Sequence, residues 1–422
     1  MKLLRVSKSR VEGSVAAPPS KSYTHRAFII GFLSGKAKIY NPLISKDTQA
    51  TLNAIKSFGA EFKKARNFIT IKARCLSQPV DIINVENSGT TLRLMTGVAS
   101  LLEGTTILTG DDSIKKRPML PLLNALNYLG ASCYSIKKDG TPPIIVKGKI
   151  KGGSTCIRGD ISSQFISSLL ISTPLAEKDT RIILTTDLKS RPYLDITLEI
   201  LKNFGIEIVI EKNCFLVKGA QKYISKNFDV PGDFSSASFL FTAAAITKGN
   251  VKVKNLNLDT KQGDKKILDI LERFGAEVKI AGEEISVEGK ELRGIELDCK
   301  EIPDLFPVTA VLGAYAKGVT KLKGAKHLRY KESDRISAMA QALKKMQCNV
   351  KELEDGILIK GGKELKGAKI DSRNDHRILM ACAVAALGAK GKTLISHPNC
   401  YKVSCPSFIK DLKKLGAEVR ID

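Results

Sequence analysis

The sequence contains no tryptophan, and its aromatic residues make up only 6% of the chain. None of the nine cysteines lies in a CxxC pair, and the four histidines show no HExxH spacing, so the pattern does not indicate a zinc site. The P-loop and the dinucleotide-binding glycine motif are also missing, so neither ATP nor NAD binding is indicated. The longest apolar runs, such as residues 379–387, are far shorter than the ~18 residues that a membrane span needs.

The first residues of the chain lack the long apolar stretch of a secretory leader. Without such a leader, cysteines scattered from Cys75 to Cys405 indicate reduced thiols rather than a disulfide framework. We therefore expect a cytoplasmic protein that uses no metal and no organic cofactor.

Positive charge dominates the composition of the 422 residues. Lysine and arginine number 68 against 43 acidic residues, which gives a formal net charge of +25. Such an excess is typical of nucleic-acid-binding proteins, although no cluster of basic and aromatic residues stands out as a base-stacking surface. The other interpretation is a binding site for small, highly charged anions. Composition alone leaves both interpretations open.

A repeated pattern divides the chain into six similar segments. The pattern is an apolar residue, three further residues and a glycine, and it recurs roughly every 70 residues. The glycines are Gly59, Gly130, Gly205, Gly275 and Gly416, while the fifth of the six copies carries Gln347 instead. Each copy resembles the end of an amphipathic helix that is closed by a C-terminal glycine.

A second series of segments is apolar on nearly every side. We predict helices over these segments, and such helices must be buried. The predicted ranges are 22–33, 89–102, 162–176, 235–246, 304–316 and 374–387. Each is followed by a predicted strand, at 37–40, 105–108, 181–184, 251–253, 319–322 and 393–395. The sequence therefore predicts six α/β units, in which two groups of three close around their buried helices.

The polar residues that begin these helices carry the candidate chemistry. Free N–H groups and a partial positive charge make a helix N-terminus suitable for binding anions. The beginnings contain Ser20-Lys21-Ser22, Asn87-Ser88-Gly89-Thr90, Ser162-Ser163-Gln164, Ser235-Ser236, Pro303-Asp304 and Asn374-Asp375-His376-Arg377. For any one of them, ordinary helix capping is the simpler explanation, because serine, asparagine and aspartate are preferred cap residues. Together with six basic residues at caps and turns, they favour a site for phosphorylated ligands. The basic residues are Lys21, Arg26, Arg117, Arg335, Arg377 and Lys402.

Two acidic residues lie among these cations. Asp304 follows Pro303 at the beginning of a buried helix, and Glu332 lies in Lys331-Glu332-Ser333-Asp334-Arg335. Helix capping and a solvated charge cluster are the simpler explanations. Two acids in a cationic site can also share the work of a general base and a general acid.

Seven ordered motifs resemble the 5-enolpyruvylshikimate-3-phosphate (EPSP) synthase family over essentially the whole chain. They are Ser20-Lys21-Ser22 with Arg26, Asn87-Ser88-Gly89-Thr90, Lys116-Arg117-Pro118, Ser162-Ser163-Gln164-Phe165, Ser190-Arg191-Pro192-Tyr193, Lys331-Glu332-Ser333-Asp334-Arg335 and Asn374-Asp375-His376-Arg377. The chain departs from the family pattern at Pro19, where glycine is common, and at Gln347.

The resemblance implies two lobes, each with three βαβαββ repeats around buried helices, in an inside-out α/β barrel. Residues 16–226 would form the lobe of repeats one to three. Residues 1–15 and 227–422 would form the lobe of repeats four to six, because the family places its N-terminal strand in the C-terminal lobe.

The resemblance also implies a reaction. The enolpyruvyl group of phosphoenolpyruvate would be transferred to the 5-hydroxyl of shikimate 3-phosphate, with release of phosphate, in the shikimate pathway to chorismate and the aromatic amino acids. Asp304, helped by Lys21, would take the hydroxyl proton, and Glu332 would protonate C3 of phosphoenolpyruvate. A monomer that binds these two small molecules, and neither nucleic acid nor membrane, is expected.

Site residues carried over by the same resemblance fall into two sets. Shikimate 3-phosphate would be bound by Lys21, Ser22, Arg26, Ser162, Ser163, Gln164, Ser190, Tyr193, Asp304 and Lys331. Phosphoenolpyruvate would be bound by Lys21, Gly89, Arg117, Gln164, Arg335, Arg377 and Lys402.

Two alternatives remain at this stage. The sister enolpyruvyl transferase acts on UDP-N-acetylglucosamine and typically uses a cysteine on a mobile loop, but residues 111–116 contain no cysteine. An RNA-end-binding protein on related α/β repeats would suit the charge, although the sequence lacks a stacking surface.

Overall fold

The structure is a computed structural model and describes residues 2–422. Its strands are β1 Leu4–Ser7, β2 Glu12–Ala16, β3 Lys36–Tyr40, β4 Glu61–Lys64, β5 Phe68–Lys72, β6 Ile83–Asn84, β7 Thr105–Thr109, β8 Ser132–Ser135, β9 Ile144–Lys147, β10 Gly153–Ile157, β11 Thr180–Leu184, β12 Ile208–Glu211, β13 Cys214–Val217, β14 Phe228–Asp229, β15 Asn250–Lys254, β16 Glu277–Ala281, β17 Glu284–Glu288, β18 Glu296–Asp298, β19 Gly318–Lys323, β20 Asn349–Leu353, β21 Gly356–Gly361, β22 Lys369–Ile370, β23 Lys392–Ile395 and β24 Val419–Ile421.

The α-helices of the same residues are α1 Lys21–Leu33, α2 Lys46–Ser57, α3 Gly89–Ala99, α4 Leu120–Tyr128, α5 Ser163–Ser172, α6 Arg191–Asn203, α7 Phe234–Thr247, α8 Ile267–Phe274, α9 Phe306–Tyr315, α10 Arg335–Lys345, α11 His376–Gly388 and α12 Phe408–Lys414. Short 3₁₀ helices lie at Ile114–Lys116, Thr173–Leu175, Gly263–Lys266, Pro303–Leu305, Lys326–Tyr330 and Cys400–Val403. No helix in this part of the chain has the length and apolarity to cross a membrane.

The six predicted buried helices are confirmed as α1, α3, α5, α7, α9 and α11, with small shifts at their ends. Helix α5 ends at Ser172, earlier than predicted, and continues as the 3₁₀ helix Thr173–Leu175. Pro174 has no N–H for an α-helical hydrogen bond, which explains this early end. Asp304 lies in the 3₁₀ helix that precedes α9, rather than at the first turn of the α-helix.

The even-numbered helices are the amphipathic ones, and the repeated glycines follow them. Gly275, for example, has φ of 105° after α8, in the left-handed region that glycine adopts without strain. Gln347 occupies the equivalent position after α10 and adopts φ of 67°. The fifth copy therefore keeps the same backbone turn although a side chain is present.

Residues Pro19–Val230 form one compact unit with three four-stranded sheets. The strand orders are β14-β3-β5-β4, β6-β7-β9-β8 and β10-β11-β13-β12. In each sheet the first two strands of this order pair in parallel, and the other two pairs of neighbouring strands are antiparallel. The buried faces of these sheets and helices α1, α3 and α5 contribute to one apolar core.

The second unit consists of the residues up to Pro18 together with Pro231–Asp422. Its sheets have the orders β2-β15-β17-β16, β18-β19-β21-β20 and β22-β23-β1-β24. Strand β1 lies between β23 and β24, so that Leu4 is opposite both Ile395 and Ile421. Helices α7, α9 and α11 form the centre of this unit's core. All six sheets in the described residues are open, and the buried helices occupy the interior of each unit.

Candidate active site

In the Pro19–Val230 unit, a buried ion pair marks the beginning of helix α1. The Nζ atom of Lys21 lies 2.8 Å from Oδ2 of Asp47, whose side chain is 5% exposed in the first turn of α2. Burial disfavours the charged carboxylate, but Lys21 and His25 hold the pKa of Asp47 well below its usual range. Lys21 is therefore held at the helix N-terminus by a fixed negative charge.

Arg26 lies one turn further along α1 and is almost completely buried. Its guanidinium donates to Oγ1 of Thr197 at 2.6 Å, to the carbonyl of Ser22 at 3.0 Å and to Oγ of Ser167 at 3.4 Å. Burial lowers its pKa to about 10. Within the described residues these acceptors are all neutral, so no carboxylate balances the charge of Arg26, and an anionic ligand can do so.

A second cationic cluster surrounds the beginning of α3. A Cβ atom added at Gly89 would overlap Nη1 of Arg117, so the guanidinium lies directly against this glycine. Arg93 is buried in the same helix, and both burial and the charge of Arg117 lower its pKa. Gln164 accepts from Nη1 of Arg93 at 2.7 Å and donates to Oγ1 of Thr90 at 2.9 Å. Two arginines and an amide therefore converge at a helix N-terminus, as an anion site requires.

The remaining predicted residues of this unit lie at helix beginnings. Ser162 caps α5 and accepts from the backbone N–H of Gln164 at 3.3 Å, and Ser163 is the first residue of that helix. Ser190 precedes α6 with φ of 58°, and its carbonyl accepts from the N–H of Tyr193 at 3.2 Å. Phosphate oxygens are suited to such clusters of hydroxyl and backbone donors.

In the second unit, Arg335 is the centre of a network of carboxylates. Its Nε and Nη2 donate to the two oxygens of Asp375 at 2.9 and 3.3 Å. Its Nη1 donates to Asp304 at 3.0 Å, and its Nη2 also donates to Glu332 at 2.9 Å. Burial alone would lower the pKa of Arg335, but these three carboxylates together raise it above the ordinary arginine value.

Arg377 holds the other oxygen of Asp304. Its Nη2 donates to Oδ2 at 2.9 Å, and its Nη1 donates to the carbonyl of Ser235 at 3.4 Å. The guanidinium carbon lies 5.9 Å from the ring centre of Phe239, within the range of a cation–π contact. Because both of its oxygens are bound by guanidinium groups, the Asp304 carboxylate has a fixed orientation.

Glu332 has a second partner in His376, whose Nδ1 lies 2.9 Å from Oε2 of the glutamate. Ligand atoms of Glu332, Asp375 and His376 all lie within 4.8 Å of one another, which is a spacing that could hold a metal ion. However, Arg335 already donates to two of these three residues. Its guanidinium supplies the positive charge that a metal would bring, so these residues fit a metal ion poorly.

Two predicted lysines differ from the others. Lys331 is half-buried directly before Glu332. Lys402 is exposed on the 3₁₀ helix Cys400–Val403, where its ammonium lies 6.0 Å from the ring centre of Tyr401. The structure thus brings Asp304, Glu332, Arg335 and Arg377 together, whereas Lys402 has no hydrogen bond or ion pair with this group among the described residues.

Several polar residues in these clusters were not predicted from the sequence. They are His25, Asp47, Arg93, Asp264, Asp375 and His376. Asp264 is buried and accepts from the hydroxyl of Ser235, and burial together with the charge of Asp304 raises its pKa to about 7. Asp375 and His376 belong to the motif Asn374-Asp375-His376-Arg377, which the sequence analysis named as a helix beginning. Because Asp375 caps α11 directly before basic residues, its position could have indicated that both residues belong to the site.

Comparison with known proteins gives one consistent family. Residues 6–412 match the family described as EPSP synthase (3-phosphoshikimate 1-carboxyvinyltransferase). A protein named 3-phosphoshikimate 1-carboxyvinyltransferase from Methanocaldococcus jannaschii is 48% identical over 428 residues, covering 100% of both chains. Its namesake from Methanocella arvoryzae is 49% identical and covers 99% of this chain and 100% of its own. A solved structure of EPSP synthase from Acinetobacter baumannii is similar over 100% of both chains, with a TM-score of 0.84 and 29% identity.

Proposed function

The chain belongs to the EPSP synthase family, and from this membership we propose which of its residues carry the family reaction. The enzyme is a transferase that moves the enolpyruvyl group of phosphoenolpyruvate to the 5-hydroxyl of shikimate 3-phosphate and releases phosphate. This step belongs to the shikimate pathway, which leads to chorismate and the aromatic amino acids.

Asp304 is the general base in our proposal, and Lys21 assists it. Asp304 takes the proton of the 5-hydroxyl while the oxygen of that hydroxyl bonds to C2 of phosphoenolpyruvate. Glu332 gives its proton to C3, and a tetrahedral intermediate forms. Glu332 then removes a proton from C3, the C2–O bond to phosphate breaks, and the enol ether double bond is restored. The departing phosphate takes up the proton that Asp304 received from the 5-hydroxyl, so both carboxyl groups return to their starting states. Asp304 and Glu332 thus act as an acid–base pair.

One observation carries this proposal. A single guanidinium, that of Arg335, donates to Asp304 at 3.0 Å and to Glu332 at 2.9 Å in a nearly fully buried position. Buried charge-assisted hydrogen bonds hold both carboxylates in fixed places without a metal. Preorganised cations around the reacting groups can also stabilise the charge that develops on departing phosphate.

We assign shikimate 3-phosphate to a set of residues rich in hydroxyl and basic groups. The set is Lys21, Ser22, Arg26, Ser162, Ser163, Gln164, Ser190, Tyr193, Asp304 and Lys331. Arg26 supports this assignment, because its buried charge has only neutral acceptors among the described residues. A phosphate carries about −1.5 to −2 charge and would balance it.

Phosphoenolpyruvate is assigned to Lys21, Gly89, Arg117, Gln164, Arg335, Arg377 and Lys402. The contact of Arg117 with Gly89 supports this assignment, since an anion at the beginning of α3 would meet both the guanidinium and the positive end of the helix dipole. For Lys402 the assignment rests on the family resemblance.

We further propose that the enzyme works as a monomer in the cytoplasm. For the two lobes, predicted as residues 16–226 and as residues 1–15 with 227–422, we propose the boundaries of the compact units instead, because Ala16 pairs with Lys254 and Phe228 pairs with Ile39. All nine cysteines are free thiols, which supports a reducing compartment. Acceptance of UDP-N-acetylglucosamine is not favoured, because the relatives at 48–49% identity are named for the shikimate substrate. An RNA-binding role has no comparable support.

A phosphate-release assay tests the function. The purified chain should release phosphate from phosphoenolpyruvate only when shikimate 3-phosphate is present. UDP-N-acetylglucosamine in place of shikimate 3-phosphate should give no release. Release with the sugar nucleotide alone, or no release with either acceptor, would contradict the proposal.

A further inference from the structure

A continuous line of polar contacts runs through the interior of the Pro19–Val230 unit. His25 lies in helix α1, and its Nδ1 is 2.6 Å from Oγ1 of Thr51 in α2. Thr51 is 2.6 Å from Oγ1 of Thr91 in α3, and Thr91 is 2.6 Å from Oγ of Ser88, which caps α3. On the other side of the imidazole, Nε2 faces Oδ1 of Asp47 at 3.5 Å. The line therefore joins the Lys21–Asp47 ion pair to the N-terminus of α3.

Every member of this line is buried. His25, Thr51, Thr91 and Ser88 have no exposed surface, and Asp47 is 4% exposed. Buried polar groups are costly in an apolar core unless they are paired, and hydrogen bonds within a network fix the geometry of its members. The hydroxyl groups and Nδ1 of His25 are paired in this way, whereas Nε2 of His25 and Oδ1 of Asp47 meet in a longer ion-pair contact. Apolar side chains of similar size would pack this core without such a requirement. The line must therefore be explained by what it holds in place.

The direction of each hydrogen bond follows from the charge of Asp47. Burial lowers the pKa of His25, so the neutral imidazole is favoured. A neutral imidazole next to a carboxylate points its N–H at that carboxylate, so Nε2–H faces Asp47 and Nδ1 accepts from Thr51. Thr51 then accepts from Thr91, and Thr91 accepts from Ser88. Ser88 completes the line by accepting from the backbone N–H of Thr91 at 3.2 Å.

We propose that His25 is a positioning residue for catalysis, which fixes Lys21 and the beginning of α3 relative to each other. This inference rests on the proposed function, since Lys21 and Gly89 are the groups assigned to phosphoenolpyruvate. Asp47 binds Lys21 with one oxygen, and the other oxygen lies 3.5 Å from Nε2 of His25, so the imidazole occupies the space into which the carboxylate would turn. In the opposite direction, Thr51 and Thr91 hold the Ser88 cap, which directly precedes Gly89 at the beginning of α3.

Loss of this restraint should affect turnover more than folding. Displacement of a binding group by about 1 Å can lower a rate by roughly 10²-fold, because the reacting atoms no longer meet in the productive geometry. Thr51 links α1 to α3, and its hydroxyl can be removed with almost no change in shape. Valine at this position keeps the packing and breaks the line between α1 and α3.

The test compares Thr51→Val with Thr51→Ser and with Thr96→Val. Serine keeps the hydroxyl, and Thr96 is a buried threonine of helix α3, outside the line, whose hydroxyl donates to the carbonyl of Leu92. We expect Thr51→Val to lower kcat/KM for phosphoenolpyruvate by about tenfold or more, while Thr51→Ser and Thr96→Val stay within about twofold of the original chain. Equal kinetics for all three variants, at equal thermal stability, would overturn the proposal.

Substitutions of the histidine itself extend the test. In His25→Leu the contact with Asp47 is lost, whereas in His25→Gln an amide can still reach it. Glutamine should therefore restore part of the kcat/KM that leucine loses. If the two variants are equally impaired in kcat/KM and equally destabilised, His25 has only a structural role.

An NMR measurement tests the line of polar contacts independently of enzyme activity. The chain has four histidines, so ¹⁵N-histidine labelling gives four ring systems, which single substitutions can assign. We expect the His25 ring to be neutral with its proton on Nε2, and Thr51→Val to change its Nδ1 shift. A proton on Nδ1 would overturn the proposal. If the original chain releases no phosphate, the proposed function fails, and the NMR result still decides the geometry.

Discussion

The Nη2 atom of Arg335 lies 2.9 Å from Oε2 of Glu332, so the group assigned as the acid shares a cation with the group assigned as the base. Removal of charge from either carboxylate changes the field at the other through this shared guanidinium. The two assigned catalytic groups therefore interact through one guanidinium, and the effects of substitutions at the two positions should not be additive.

The first prediction concerns these two carboxylates. Glu332→Gln and Asp304→Asn should each lower kcat by about 10²-fold or more, the usual contribution of a general acid or base. The double variant should lose less than the product of the two single losses. Steady-state kinetics measures all three, with Glu291→Gln as the control because that residue is exposed and pairs with Lys317. Near-normal turnover of both single variants would remove Asp304 and Glu332 from the mechanism.

The second prediction concerns the stability of the second unit. Arg335→Ala should lower the free energy of unfolding by about 3–5 kcal/mol, because it leaves the fully buried carboxylate of Asp375 without its cation. Arg329 is the matched control, since it also binds two carboxylates but is 24% exposed. Arg329→Ala should cost only about 1 kcal/mol. Denaturant unfolding with equal losses for both variants would contradict the central position of Arg335.

The third prediction concerns the contact between Gly89 and Arg117. In Gly89→Ala the new methyl group must displace the guanidinium, which is the flexible end of a side chain, so the fold should survive. Phosphoenolpyruvate should bind about tenfold more weakly, while shikimate 3-phosphate, to which Arg117 is not assigned, should change little. Arg117→Ala should also weaken phosphoenolpyruvate more than shikimate 3-phosphate, and by a larger factor than Gly89→Ala.

Calorimetric titration with each ligand checks this third prediction. Thermal unfolding provides the control for the fold of both variants. Equal weakening of the two ligands would show that Arg117 does not serve phosphoenolpyruvate in particular.

The fourth prediction concerns Asp264 and the dependence of stability on pH. Burial, and next the charge of Asp304, raise its pKa to about 7, from about 3.9 in an unfolded chain. Between these values the folded state binds the extra proton, so Asp264 makes the protein less stable as pH rises from about 4 to 7. Asp264→Asn removes this dependence.

Thermal or denaturant unfolding at about pH 5 and about pH 8 measures the effect. Relative to the original chain, Asp264→Asn should gain on the order of 2–3 kcal/mol in the free energy of unfolding between these pH values. Asp269→Asn, an exposed acid of helix α8, is the matched control and should show much less change. A constant difference between Asp264→Asn and the original chain would place the pKa of Asp264 in the ordinary range.

Helices and repeats could be predicted from the sequence because they depend on local patterns. Apolar segments with polar beginnings predict α1 and α11 to within a few residues, and the recurring glycines predict the turns after the amphipathic helices. Gln347 shows that this turn also forms without glycine, because the surrounding structure can impose a left-handed backbone conformation on another residue.

Contacts within the site could not be predicted in the same way. Asp304, Glu332 and Asp375 are distant in sequence, and only the packing of α9, α10 and α11 brings them to one guanidinium. Asp47 and Thr51 lie on an amphipathic helix, where polar residues ordinarily face water, yet the structure buries both. Burial of a polar residue depends on what packs over it, and the local pattern does not contain that information.

The place of strand β1 has a consequence for synthesis on the ribosome. Strand β1 leaves the exit tunnel before the other described strands, whereas its two neighbours, β23 and β24, follow all of them. Pro19–Val230 contains all the strands of its own three sheets and can complete them as soon as it has emerged. Strand β2 can pair once β15 has emerged, but β1 must wait with unpaired edges until β23 and β24 have emerged. A circular permutant that moves β1 behind Asp422 would remove this waiting period while keeping every strand pair.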